Sequence, residues 1–178
     1  MKLRIFVRIF VVVEAITLVN VVGFTARAET QCNGHAVGQG WGGTSGPDNY
    51  VGDSTRNIMA GDTGDDDIQG LGGNDDLCGN PGSDSIGGGD GNDYINGGSD
   101  TDTGLNDLPF AHLDGGPGSD IIHGGSGNDE VDGKSDNDNL YGDDNADDLY
   151  GGGGASDFGD GGAGLDFCDA AVEIQTSC

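Results

Sequence analysis

The sequence predicts an all-β fold in which short parallel strands stack as a β-solenoid. The chain repeats every nine residues, with clear copies GGDGNDYIN (88–96), GGPGSDIIH (115–123) and GGSGNDEVD (124–132). A nine-residue unit is too short to bury a core alone, so units of this kind must stack on one another. Units counted from Gly43 run without a break to Tyr150, and two more follow Gly151, at 152–160 and 161–169.

The positions within the repeat predict a turn followed by a strand. Glycine fills the first position in every unit but one and recurs at the second and fourth, which suits a backbone with positive φ or a close approach to other atoms. The eighth position is mostly apolar, as in Ile68, Leu77 and Ile95. Each unit therefore predicts a six-residue turn and a strand of about three residues, marginal alone, with one side chain in a thin shared core.

The sixth position of the repeat is nearly always aspartate, and stacking would align these side chains in ladders along the turns. Only Asn57 and Ala111 interrupt the series. Its members are Asp48, Asp66, Asp75, Asp84, Asp93, Asp102, Asp120, Asp129, Asp138, Asp147, Asp157 and Asp166.

The nonapeptide resembles the GGxGxDxUx repeat of the repeat-in-toxin family, which forms a calcium-bound parallel β-roll. The resemblance covers nearly all of 43–169. It implies that two turns complete one coil, and that several Ca²⁺ ions lie between adjacent turns, held by backbone carbonyls and by the twelve sixth-position aspartates. The chemistry agrees, because Ca²⁺ prefers six or more oxygen ligands.

Other interpretations of the glycine-rich turns fit less well. No GxGxxG leads into a helix, no GxxxxGK[ST] motif occurs, and no EF-hand loop is present. An acidic, glycine-rich disordered linker would not keep an apolar residue in one fixed position over a dozen units.

The charge of the chain predicts that cations enter the stack. There are 32 acidic and 6 basic residues, a net charge of −26. Four of the basic residues lie in the first 28 positions, so removal of that segment makes the chain more acidic still. A compact stack of this charge repels itself, so we expect folding to depend on bound calcium. The lack of a basic surface excludes nucleic acid as a partner.

Pairing each turn with the turn two units on predicts twelve sites, nine of them with aspartate at both sixth positions. On this pairing Ala111 weakens the sites that it shares with Asp93 and Asp129, while the other ladder runs from Asp102 to Asp120.

The unit NDLPFAHLD (106–114) departs from the pattern, with Pro109 in place of glycine and Ala111 in place of aspartate. The unit before it has Gly104 in the apolar position. Two interpretations stay open: a specialised bulge that offers Phe110 and His112 to a partner, or a decayed repeat that the stack tolerates. We favour the second.

Residues 1–28 are typical of a secretory signal peptide. A basic start precedes an apolar run, and Ala26-Arg27-Ala28 forms an A-x-A cleavage site. We therefore expect cleavage before Glu29, an extracellular location and no membrane span in the processed chain, with an N-terminal membrane anchor as the alternative.

Export also accounts for four cysteines in a chain otherwise poor in them. Four cysteines allow three pairings, and we predict Cys32–Cys78 and Cys168–Cys178, which would tie the two ends of the solenoid. The predicted organisation is a signal peptide (1–28), an N-terminal cap with Trp41 (29–42), the β-roll (43–169) and a disulfide-tied tail (170–178). Caps at both ends are expected because solenoid ends expose unpaired strand edges.

No catalytic constellation stands out, so we expect no enzyme. The three histidines have no evident nucleophile partner and no G-x-S-x-G or H-E-x-x-H motif occurs. Pairs such as Asp75-Asp76 suggest glycoside hydrolysis, but adjacent strand residues point to opposite faces. The predicted function is a secreted calcium-binding protein; the alternative is a calcium-stiffened adhesion protein that binds a cell-surface or matrix ligand.

Overall fold

A computed structural model describes residues 31–36, 42–102, 113–169 and 171–178. The predictions for the signal peptide, for Trp41 and for residues 103–112, with Gly104, Pro109, Phe110, Ala111 and His112, lie outside these residues.

The coil is built from two seven-stranded parallel sheets, which receive successive nine-residue units in alternation. The odd sheet contains β3 (Asn49–Val51), β5 (Asp67–Gly72), β7 (Ser85–Asp90), β9 (Leu113–Pro117), β11 (Glu130–Ser135), β13 (Asp148–Tyr150) and β15 (Phe167–Cys168). The even sheet contains β4 (Ile58–Ala60), β6 (Asp76–Pro81), β8 (Tyr94–Ser99), β10 (Ile121–Ser126), β12 (Asn139–Asp144), β14 (Asp157–Asp160) and β16 (Val172–Thr176).

Within each of these two sheets neighbouring strands are parallel, and neighbours in the repeats lie two nine-residue units apart along the chain except at β7–β9 and β8–β10. Ile68 lies beside Ile86 in the odd sheet, and Leu77 lies beside Ile95 in the even sheet. Two nine-residue turns therefore complete one coil. No helix occurs in the described residues, and the predicted all-β parallel solenoid is confirmed.

The eighth-position side chains form one continuous core between the sheets. Ten of them are at most 1% exposed: Met59, Ile68, Leu77, Ile86, Ile95, Leu113, Ile122, Val131, Leu140 and Leu149. Complete burial of a side chain of this size contributes roughly 1.5–3 kcal/mol. The pattern of one inward residue per unit is thus enough for a core that is one side chain wide.

The register contains one skip that the nine-residue count does not reveal. Leu113 of β9 lies beside Ile86 on one side and Val131 on the other. Elsewhere two positions separate the turn aspartate from the core residue, as from Asp93 to Ile95, but eleven separate Asp102 from Leu113. The pairing therefore advances by 27 residues at this point, whereas elsewhere in the repeats it advances by 18 or 19.

Glycine at the fourth position is required because successive turns lie directly on each other. Gly118 has φ +144°, and a Cβ added there would collide with the carbonyl oxygen of Gly91 in the preceding coil. Gly87, on the outer face of the odd sheet, has nothing within 4 Å of the corresponding point.

These two glycines give a matched pair of substitutions. We expect Gly118→Ala to lower the free energy of unfolding by at least about 2 kcal/mol, from the positive φ and the backbone collision. Gly87→Ala should be neutral or stabilising by up to about 1 kcal/mol, because it restricts the unfolded chain. Urea denaturation at saturating calcium measures both, and equal losses would contradict the stacked-turn geometry.

Both ends of the coil are covalently fastened. At the N-terminal end a hairpin of β1 (Gln31–Cys32) and β2 (His35–Ala36) is joined to β6 by the Cys32–Cys78 disulfide, with Cα atoms 5.6 Å apart. At the other end Cys168 is bonded to Cys178, with Cα atoms 5.7 Å apart. Both predicted disulfides are confirmed.

Candidate metal centre

The turn aspartates form two continuous ladders of side chain-to-backbone hydrogen bonds. In each ladder the backbone N–H of one member donates to Oδ1 of the next, over 2.7–3.1 Å. The long ladder contains Asp48, Asp66, Asp84, Asp102, Asp129, Asp147 and Asp166. The short ladder contains Asn57, Asp75, Asp93, Asp120, Asp138 and Asp157.

The ladders correct the predicted pairing around the atypical unit. The N–H of Asp93 donates to Asp120 over 2.7 Å, and that of Asp102 donates to Asp129 over 2.8 Å. The prediction that Asp102 pairs with Asp120, and that Ala111 weakens the sites of Asp93 and Asp129, is wrong because consecutive ladder members lie 27 residues apart at this point and not 18. Both ladders pass this point uninterrupted, and ten of their eleven consecutive pairs have aspartate at both positions.

The second carboxylate oxygen, Oδ2, has no hydrogen-bond donor within the described part of the chain in any ladder aspartate but Asp48. It is buried in every ladder aspartate except Asp48, whose Oδ2 accepts hydrogen bonds from the backbone and the hydroxyl of Thr44. Most of the carboxylates are fully enclosed, and Asp102 and Asp120 are 0% exposed. Buried charges of this kind are normally paired or bound to a metal.

In eight units the first-position glycine leaves space where an aspartate Oδ2 and a carbonyl oxygen converge: Gly61, Gly70, Gly79, Gly88, Gly97, Gly115, Gly124 and Gly142. A Cβ on Gly124 would lie 2.7 Å from Asp129 Oδ2 and 2.7 Å from the carbonyl oxygen of Gly142, one coil further on. The corresponding distances at Gly115 are 2.5 Å to Asp120 Oδ2 and 3.0 Å to the Gly133 carbonyl oxygen. We call this arrangement the oxygen cradle: a glycine, the Oδ2 of its own turn and a carbonyl oxygen of the next coil.

Burial is the largest cause of the raised pKa values of carboxyl groups in the interior of the ladders, among them Asp84, Asp102 and Asp120. Neighbouring carboxylates raise the pKa values further in most members, and the ladder N–H donors lower them. The pKa is about 8 for Asp102 and about 7 for Asp84 and Asp120. The basic side chains Arg56 and Lys134 form ion pairs outside the ladders, with Asp76 and with Asp114 and Asp132 respectively.

The donor set fits calcium. Among the described residues no three His, Cys, Asp or Glu side chains converge on one point, so paired carboxylates and backbone carbonyls would hold a cation. All of these donors are oxygens, as hard divalent cations prefer. Nitrogen and sulfur, which typify zinc sites, are absent from the described cradles. The predicted aspartates are thus brought together in pairs.

The fifth positions of the repeat form a further set of hydrogen bonds, separate from the two aspartate ladders, which the sequence interpretation missed. The N–H of Ser83 donates to Asp65 Oδ1 over 3.1 Å, and the N–H of Asn92 donates to Asn74 Oδ1 over 3.2 Å. Equivalent bonds reach the side chains of Asn92, Thr101, Asn128 and Asn137. The recurrence of Asn, Asp, Ser and Thr at this position was the available signal. In these exposed bonds the N–H donates to a residue earlier in the chain, whereas in the carboxylate ladders it donates to a residue later in the chain.

Aromatic side chains form a further array on the outer face of the even sheet. His123 stacks on Tyr141 with ring centroids 4.5 Å apart, and Tyr94 and Phe158 flank this pair at 5.9 and 5.6 Å. His123 Nδ1 also lies 2.9 Å from Asp143 Oδ2. His123 is therefore packed between Tyr94 and Tyr141.

The described part of the chain includes no helix with the length and apolar character needed to cross a membrane. No curated protein and no solved structure matches the chain significantly. A family model described as the RTX calcium-binding nonapeptide repeat (4 copies) matches residues 42–77, 51–86, 79–103, 112–140 and 128–158, more than half of the chain. These segments contain nearly all of the ladder residues and their cradles. The chain belongs to the RTX calcium-binding nonapeptide-repeat family.

Proposed function

We propose that the protein is a secreted calcium-binding protein whose coil forms when calcium fills the two carboxylate ladders. The observation that carries this proposal is the row of buried Oδ2 atoms without donors. At neutral pH each burial of a carboxylate without a partner opposes folding. A divalent cation between consecutive turns would neutralise two carboxylates at once and would bind only the folded coil, so calcium would stabilise it by mass action.

The secreted location is part of the proposal. It is supported by the signal-like segment 1–28 and by two disulfides, which persist in oxidising compartments. Calcium affinities of 10⁻⁴–10⁻³ M are typical of extracellular modules. The mass and N-terminal residue of the exported chain test this part: we expect Glu29 as the first residue, and an unprocessed chain would contradict it.

The proposal assigns no catalysis to the chain. Of the adjacent pair considered for glycoside hydrolysis, Asp75 belongs to the short ladder and Asp76 forms an ion pair with Arg56. Asp76 Oδ1 also accepts a hydrogen bond from the side chain of Asn33 over 3.2 Å. These contacts give Asp76 a role in holding the N-terminal hairpin.

Circular dichroism of residues 29–178 during a calcium titration tests the coupled folding. We expect little β-structure without metal and a cooperative gain with calcium, nearly complete by about 10 mM, ten times the weak end of the affinity range. Magnesium is the matched control. It demands near-ideal octahedral geometry and keeps its water, so it should act only at higher concentration. A chain already β-rich in chelator, or unstructured at 10 mM calcium, would contradict the proposal.

The alternative function, a calcium-stiffened adhesion protein, is favoured by the outer array of Tyr94, His123, Tyr141 and Phe158. The rings of His123 and Tyr141 are nearly parallel, at 8°, so each covers a ring face of the other. Because these two faces are not open to a ligand, we rank adhesion second. Loss of binding to extracellular matrix on Tyr141→Ser, with calcium affinity unchanged, would favour it.

A further inference from the structure

The C-terminal tail continues the coil although it carries no nonapeptide. Strand β16 pairs with β14 in parallel, with Asp157 beside Val172 and Asp160 beside Thr176. Gly159 occupies the apolar eighth position, and a Cβ there would lie 2.6 Å from Cγ1 of Val172. Val172 is 3% exposed and belongs to the core, so it fills the space that Gly159 leaves.

The tail also reproduces the oxygen cradle. A Cβ on Gly151 would lie 2.9 Å from Asp157 Oδ2 and 3.1 Å from the carbonyl oxygen of Ala171. At the interior cradle of Gly115 the carbonyl of Gly133, a repeat glycine, takes the place that Ala171 has here. Asp157 is 1% exposed and its Oδ2 has no donor among the described residues. The last turn of the short ladder therefore faces a carbonyl oxygen supplied from outside the repeats.

Asp169 fixes the backbone that presents this carbonyl. Its Oδ1 accepts hydrogen bonds from the N–H groups of Ala171 over 3.0 Å, Val172 over 3.2 Å and Gly151 over 3.3 Å. One carboxylate oxygen thus joins the start of the tail to the glycine of the cradle. The position of the Ala171 carbonyl follows from a built turn and not from a free chain end.

We propose that Asp157 and the Ala171 carbonyl form an additional site for a calcium-sized divalent cation, between the last turn of the short ladder and the non-repeat tail. The site rests on the proposed function and extends it beyond the nonapeptides. A cation here neutralises the buried Asp157 carboxylate and fastens β16 to β14, so closure of the C-terminal end of the coil depends on calcium as well as on the disulfide.

Hydrogen exchange at saturating calcium tests this site in the purified chain. Asp157→Asn keeps Oδ1 as the acceptor for the N–H of Asp138 but removes the charge at Oδ2. We expect amides 172–176 to exchange at least about tenfold faster, relative to those of β5, which follows the long ladder at Asp66 and has no bond to either substituted residue, through local opening. Asp120→Asn makes the same change in the interior of the same ladder and should leave this ratio unchanged. Equal ratios in the two variants would overturn the proposal.

Ion counting by native mass spectrometry gives a second measurement that does not need Asp157→Asn to fold. A chain that ends at Asp169 and carries Cys168→Ser is compared with the full-length Cys168→Ser/Cys178→Ser variant. We expect the truncated chain to bind one calcium ion fewer. The same number of ions in both would overturn the site alone, whereas no calcium in either would overturn the proposed function and this site with it.

Discussion

Replacement of Asp102 by asparagine is expected to remove more calcium-dependent stability than any other single ladder substitution. Asp102 is 0% exposed, its Oδ1 accepts the N–H of Asp84 and its own N–H donates to Asp129. It therefore belongs to two consecutive pairs. Asparagine keeps the Oδ1 acceptor but puts an amide N–H₂, which cannot ligate a cation, in place of Oδ2.

The expected size follows from mass action. At a calcium concentration a hundredfold above the Kd, each lost site removes about 2.7 kcal/mol of stabilisation. One or two lost sites should lower the urea midpoint at saturating calcium and raise the calcium midpoint of folding severalfold. Urea denaturation and a circular dichroism titration measure the two quantities.

Asp100→Asn provides the matched control for Asp102→Asn. Asp100 lies two residues away, is exposed and has φ +82°, a conformation that asparagine also adopts readily. Its replacement should change the free energy of unfolding by less than about 0.5 kcal/mol. If the two variants lost similar stability, the ladder would not be the calcium site.

The second large effect is a gain of structure on acidification of the metal-free chain. Burial raises the pKa values of interior ladder aspartates such as Asp84 and Asp102 above that of the unfolded chain, where aspartate titrates near 3.9. A raised folded pKa stabilises the coil fully below the unfolded pKa, and this stability is lost as the pH rises through the folded pKa. The folded values are about 6 for Asp93, about 7 for Asp84, Asp120, Asp138 and Asp147, and about 8 for Asp102.

In metal-free buffer we therefore expect the β-signal in circular dichroism to be weak at pH 8 and to grow as the pH falls from 8 towards 5. Protons and calcium compete for the same oxygens, so the calcium midpoint should be higher at pH 6 than at pH 8. A metal-free chain that loses β-structure on acidification would contradict the raised carboxyl pKa values.

The sequence was sufficient for the periodic part of the molecule. The strand positions, the eighth-position core and the aspartate series follow from local patterns that each unit repeats, and both disulfides were predicted from the need to close the two ends. Such features are readable because a solenoid contacts mainly its nearest neighbours, so one period describes nearly every contact.

The register around Leu113 could not be predicted in this way. The unit 97–105 has Gly104 in the apolar position. A constant nine-residue period is therefore compatible with strand pairing that advances by either two or three units at this point. The three-unit advance brings Leu113 beside Ile86 and Asp102 beside Asp129. It keeps both the core and the charged ladders continuous, a long-range condition that no single unit contains.

The sequence by itself determined the nine-residue period, the all-β solenoid, the calcium-type oxygen chemistry and the family. Only the tertiary structure decided which aspartates are neighbours, that the Ala171 carbonyl completes a cradle at Asp157, and that the aromatic residues of four strands form one array. The physical reason is that composition fixes which groups are available, whereas pairing depends on which coil lies above which. Here the pairing advances once by 27 residues instead of 18, so every later turn lies on the side of the coil opposite to the side that the nine-residue count predicts.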